Sequence, residues 1–211
     1  MKTLIPAFLL GLLLLPVPLA AETLRTPGDS YLHWTLPVGW EVRSVPPAPL
    51  VEELTTQLRE EARHQGRNPT EETLKQAALR RLKMNELLLF HPASGAWLSC
   101  DFSPLKSNEG SPDADLLALS ARYALESLTS EEGVTVISSR QTALNLPGAP
   151  GTRRLQAEYV KHGIRTRFDG LVGYRRGEWF FIYLTSYPDK ADLAESIGQF
   201  FTGLAFDSSP H

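Results

Sequence analysis

The chain has 211 residues, 42% of them hydrophobic, and a formal net charge of −3. That composition suits a single globular domain and offers no electrostatic basis for a nucleic-acid partner. Its one cysteine, Cys100, excludes an internal disulfide, and a chain of this length can fold on its apolar core alone.

Met1-Lys2 gives a positive start, residues 3–21 carry no charge, and Leu9 to Leu15 is nearly all leucine. Pro16 and Pro18 break the run before Leu19-Ala20-Ala21. This reads as a secretory signal peptide over 1–21, cleaved after Ala21, with one mature domain over 22–211. The domain is then expected to be periplasmic or secreted, with no membrane span after cleavage. The apolar run approaches spanning length, so a membrane-tethered protein with an uncleaved leader stands as an alternative. No cysteine follows the run, which excludes a lipoprotein anchor.

Tyr31 to Leu36 alternates as a strand, Pro37-Val38-Gly39 turns the chain, and Trp40-Glu41-Val42 returns as a second strand. Residues 50–86 then read as a helical pair. Val51, Leu54 and Leu58 form one apolar stripe, and Leu74, Ala78 and Leu82 another. Asn68 is the expected cap of the second helix, with Pro69 in its first turn. Acids and bases are balanced across this pair, so its charge describes a solvated face. A strand hairpin follows, with Leu87 to His91 and Ala96 to Ser103 joined at Pro92-Ala93-Ser94-Gly95.

Ser111-Pro112-Asp113 caps a helix running to about Thr129, with Leu116, Leu117, Ala121, Ala124 and Leu128 as its apolar face. Val134 to Ser139 reads as a strand, and a rigid loop at Pro147 to Gly151 leads to Arg153. From Arg153 to Tyr187 the pattern is a three-strand meander with tight turns at His162-Gly163 and Arg176-Gly177. Counting out from those turns sets Ala157 opposite Phe168, Glu158 opposite Arg167, Gly170 opposite Tyr183 and Arg175 opposite Glu178. One face collects Leu155, Ala157, Tyr159, Phe168, Val172, Tyr174, Trp179, Phe181 and Tyr183 as core. Phe180, Ile182 and Leu184 make the third strand apolar on its other face too, so helices are required on both sides of the sheet. A last helix is expected from Asp189, with Leu193, Ile197, Phe200 and Phe201 on its buried stripe, and Leu204-Ala205-Phe206 adds a short final strand.

The five histidines show no metal-ligand spacing with each other or with Cys100, so no metal site is expected. Acids at Asp113 and Asp115 are accounted for by the first turn of a helix. His91 and Cys100 lie too far apart along their hairpin to act together, at ~13 Å by strand rise, and Cys100 reads as a buried thiol. No nucleophile elbow, phosphate loop or dinucleotide fingerprint occurs, so no cofactor is expected.

The run Leu36-Pro37-Val38-Gly39-Trp40 resembles the opening of PsbP-like domains, a superfamily that includes Mog-like and bacterial DcrB-like envelope proteins. The Pro147 to Gly151 loop, the Tyr159 to Tyr187 meander and the Phe200-Phe201 helix before Leu204-Ala205-Phe206 are similar as well. The resemblance spans roughly Tyr31 to Phe206. It implies an α+β fold, an α/β/α sandwich with a central antiparallel sheet covered by helices on both faces. It also implies that the helical segment over about 50–86 is an insertion. It brings no enzymatic activity and no functional residue with it.

These observations describe an exported, non-catalytic domain that binds another envelope protein. Its expected contact residues are Arg154, Arg165 and Arg167, because bases outnumber acids from Thr152 to Glu178 and these three share the non-core face. The competing reading is a hydrolase whose Ser, His and acid assemble from distant segments. A histidine within about 3.2 Å of a serine or carboxylate in a pocket is its signature.

Overall fold

A computed structural model describes residues 21–106, 108–130, 133–191 and 193–207. The expected signal peptide therefore lies outside the described residues except for Ala21. No helix among the described residues is long and apolar enough to cross a membrane.

The meander is built as its turns dictate. Strands β7 (Arg153–Lys161), β8 (Ile164–Arg175) and β9 (Glu178–Ser186) are joined by two-residue turns. His162 and Gly163 have φ of 49° and 80°, and Arg176 and Gly177 have 46° and 86°. These are the left-handed values of a type I′ turn, which matches the twist of the flanking strands. The register follows: Ala157 pairs with Phe168, Glu158 with Arg167, Gly170 with Tyr183 and Arg175 with Glu178.

Around the meander the sheet grows to seven antiparallel strands. On one side β9 pairs with β5 (Ala96–Pro104), which pairs with β4 (Leu87–His91) and then β3 (Glu41–Val42). On the other, β6 (Val134–Ala143) pairs with β7 and forms the far edge. A second, three-stranded sheet sets β2 (Tyr31–Thr35) between β1 (Ala21–Arg25) and β10 (Ala205–Phe206). Strands β2 and β3 are thus not a hairpin: the Pro37–Gly39 turn carries the chain from one sheet to the other. Strand β1 was not expected, since all its residues but Leu24 are exposed and give no apolar alternation.

Each face of the large sheet is covered. On one face, α3 (Ala114–Thr129) lays Ala121 and Leu125 on Leu155, Ala157, Tyr159, Phe168 and Val172. Beside it, α1 (Ala48–His64) and α2 (Glu71–Lys83) pack Leu50, Leu54, Ala78 and Leu82 against Leu88 and Trp97. On the opposite face, Phe180, Ile182 and Leu184 meet Phe200 and Phe201 of α4 (Ala194–Gly203), together with Leu32, Trp34 and Phe206 of the small sheet. The architecture is the expected α/β/α sandwich around an antiparallel sheet, with the small sheet completing one layer.

Three local details differ from expectation. The cap of α2 is Thr70, whose hydroxyl accepts from the Thr73 N–H, not Asn68; a β-hydroxyl just before the first turn reaches that donor directly. Leu116 is 44% exposed, because the buried stripe of α3 runs through Leu117, Ala121 and Leu125. The last helix begins at Ala194, after a turn in which the Lys190 N–H donates to the Tyr187 carbonyl.

Candidate functional site: the arginine cleft

Helix α4 covers the middle of its face of the sheet and leaves the outer strands open beside its first turns. The result is a cleft of about 470 Å³ floored by β6, β7 and β8 and walled by Ala194, Ile197 and Gly198. Period-two alternation brings Arg154, Gln156 and Glu158 of β7 and Arg167 and Asp169 of β8 to this side. All five line the cleft.

A bulge in β6 adds a further residue. Val136 pairs with Tyr159, but Ser138 already pairs with Glu158, so Ile137 is the extra residue. The insertion reverses the alternation beyond it. Arg140, which strict alternation from Val134 would place under α3, instead pairs with Gln156 and lines the cleft. Its Nε donates to Gln156 Oε1 at 2.8 Å. The strand pattern in the sequence ends at Ser139, so Arg140 carries no signal of its own there.

The three expected arginines have three different roles. Arg154 donates from Nε and Nη2 to the two oxygens of Asp169, at 2.8 and 2.5 Å. Its guanidinium also lies 5.0 Å over the ring of Phe201. Asp169, with only 5% of its side chain exposed, takes a third hydrogen bond from Gln156 at 3.0 Å. The hydrogen bond to Asp169 raises the Arg154 pKa, partly offset by burial, so this cation is fixed in the floor.

Arg165 donates to Glu158 at 2.6 Å and lies 3.8 Å from Asp189. It is outside the cleft lining. Glu158 is opposite Arg167 in the register, as counted, yet its carboxylate turns to Arg165; diagonal neighbours are within reach of long side chains. Three acids, Glu158, Asp169 and Asp189, thus partner Arg154 and Arg165. Arg167 lines the cleft and makes no ion pair among the described residues. The groups in the cleft that face solvent without a carboxylate partner are thus Arg140 and Arg167.

Other candidates resolve simply. Cys100 is fully buried, and burial pushes its thiol well above the usual range, as an inert core cysteine requires. His91 Nδ1 is 2.8 Å from Ser94 Oγ, but that oxygen also accepts the Ala96 N–H and is buried inside the hairpin loop. His33 Nε2 is 2.5 Å from Asp207 Oδ1, and Thr23 Oγ1 is 3.3 Å from its Nδ1. Thr23 on β1, His33 on β2 and Asp207 just after β10 meet at the surface, with Thr23 exposed. Asp113 caps α3 by accepting from the Leu116 N–H, and no three metal-ligating side chains cluster among the described residues.

No family model matches the chain, and no curated protein matches it. Solved structures do. LpqN of Mycobacterium tuberculosis, a protein involved in cell envelope biogenesis, matches with a TM-score of 0.51 and 13% identity over 90% of this chain and 92% of that one. Cyanobacterial PsbP (CyanoP) from Synechocystis sp. PCC 6803 matches with a TM-score of 0.45 and 12% identity over 91% and 94%. PA94 of Pseudomonas aeruginosa, of unknown function, matches with a TM-score of 0.37 and 20% identity over 51% and 67%. At these identities the likeness concerns the fold alone. In architecture the chain shares with LpqN an α+β fold built on an antiparallel sheet.

Proposed function

We propose that this chain is an exported, non-catalytic domain whose arginine cleft docks an acidic segment of another envelope protein. The observation that carries the reading is the pairing pattern in the cleft. Asp169 holds Arg154 in place, while Arg140 and Arg167 keep their charge available in a concavity of about 470 Å³. A guanidinium offers planar, paired donors that fit a carboxylate. The apolar leader supports export, and the fold shared with LpqN, itself involved in envelope biogenesis, supports placement in the envelope.

The test is crosslinking of the protein in periplasmic extract, with wild type compared to an Arg140→Ser/Arg167→Ser variant at low and high salt. A specific acidic partner captured by the wild type and lost by the variant at low salt is the expected result. Equal capture by the variant, or no specific partner in repeated experiments, overturns the reading.

One observation favours the hydrolase reading, the Thr23, His33 and Asp207 trio. Its exposure argues against it, because nucleophilic catalysis relies on donors preorganised in a water-excluded site. Labelling of Thr23 by a fluorophosphonate probe would restore it.

A further inference from the structure

A second cleft, of about 340 Å³, opens on the other face of the sheet between the α1–α2 pair and strands β5 and β9. Its volume lies at the small end of the ~300–1,000 Å³ usual for small-molecule sites. Leu50, Leu54 and Leu82 provide apolar walls, and Met84, 71% exposed, stands at the mouth. Trp97 also lines it, with an indole N–H that is buried and lacks a hydrogen bond of normal geometry.

The floor is polar and acidic. Asp101 and Tyr183 project into it from neighbouring strands. Burial raises the Asp101 pKa, and burial followed by the charge of Asp101 raises Tyr183 to about 12. Glu86, just before β4, is raised by burial too, with Asp101 among the lesser causes. Asp101 has no ion-pair partner among the described residues; Arg81, the one lining base, is exposed at the rim. A carboxylate half-withdrawn from water without a counter-charge, beside aliphatic walls, is unfavourable by itself. It is complementary to a cation that carries an aliphatic body.

We propose that this cleft binds a small amphiphilic organic cation, its ammonium group on Asp101 and its chain between Leu54 and Leu82. Helices α1 and α2, which occupy the segment expected as an insertion, then supply the apolar half of a binding site. This site is separate from the arginine cleft and does not rest on the reading given to it.

The test titrates n-octylammonium chloride, below its micelle concentration, into the isotopically labelled protein and follows the Trp97 indole N–H resonance, assigned through Trp97→Phe. A saturable shift is expected. Octyl sulfate, with the same tail and the opposite charge, should give none. Asp101→Asn should weaken octylammonium binding about tenfold or more, the scale of one hydrogen bond to a charged group. Met84→Lys changes only an exposed side chain and should weaken binding in the same direction by placing a like charge at the mouth. Absence of the Trp97 shift, equal binding of octyl sulfate, or unchanged affinity in both variants overturns the proposal.

Discussion

Arg175 and Glu178 are partners across the tip of the β8–β9 hairpin, yet each anchors a different distant segment. Glu178, 1% exposed, accepts from the Thr26 hydroxyl and, at 2.8 Å, from the Gly28 N–H in the β1–β2 turn. Arg175 donates to the Gly148 carbonyl at 2.5 Å, to the Asp207 carbonyl and to Ser30 Oγ at 3.3 Å, and stacks over Phe206. One hairpin tip therefore ties together both ends of the described chain and the Pro147 loop. Replacing Glu178 with Ala leaves the buried Thr26 hydroxyl and the part-buried Gly28 N–H unmatched, the buried one at about 1–3 kcal/mol. A fall of that size in urea-unfolding stability, with new protease sensitivity in residues 26–30, is the expected outcome; an unchanged midpoint would contradict it.

Two glycines of β8 test the packing of the sheet on its two faces. A Cβ at Gly170 would stand 2.9 Å from Phe168 Cζ and from Tyr183 Cδ1, and one at Gly173 would stand 2.6 Å from Phe180 Cε1. Gly170→Val is expected to cost about 1–3 kcal/mol by overpacking. Gly173→Ala should also destabilise, because Phe180 is fully buried and has no room to yield. Wild-type denaturation midpoints in both variants would show the register to be wrong.

The arginines of the meander should separate by role. Arg154→Ser strands Asp169, nearly buried, without the cation that takes both its oxygens; a loss of about 1.5–3 kcal/mol is expected, the range for hydrogen bonds to charged groups. Arg165→Ser and Arg167→Ser should each leave stability close to that of the wild type, as surface changes do. For Arg167→Ser, partner capture should fall at low ionic strength and change little at high, where screening already suppresses the interaction. Equal stability of all three variants in thermal melts would refute this division.

Stability at alkaline pH should carry the signature of Tyr183. Burial, with the charge of Asp101 behind it, holds its hydroxyl protonated to about 12, against a reference of 10.0. Across that interval the unfolded chain gives up a proton that the folded chain keeps, so stability falls as pH rises from 10 towards 12. Tyr183→Phe should flatten that slope in denaturant titrations; an identical slope would exclude Tyr183 as its source.

The meander was legible because two turn sequences with Gly in second position set the register, and alternation then sorted core from surface. The covering of Phe180, Ile182 and Leu184 followed from a strand apolar on both faces. Strand β1 was not legible, since an edge strand with exposed side chains has no periodic signal. The cleft was half legible. Arg154 and Arg167 follow from counting, whereas Arg140 reaches the site only through a bulge at Ile137 that no composition rule marks. The bond from Arg154 to Asp169, in place of a shared surface patch, is a diagonal pairing that alternation alone does not specify.

Strand β2 lies between β1 and β10, so its two neighbours come from opposite ends of the described chain. Leu32 and Trp34 share their core with Phe200, Leu204 and Phe206. A polypeptide that emerges amino end first cannot complete the burial of Leu32 and Trp34 until those last residues arrive. Contacts so distant along the chain form late and make folding slow. The amino-terminal portion has no stopping point of its own: this layer closes all at once, when the final strand is delivered, or stays open.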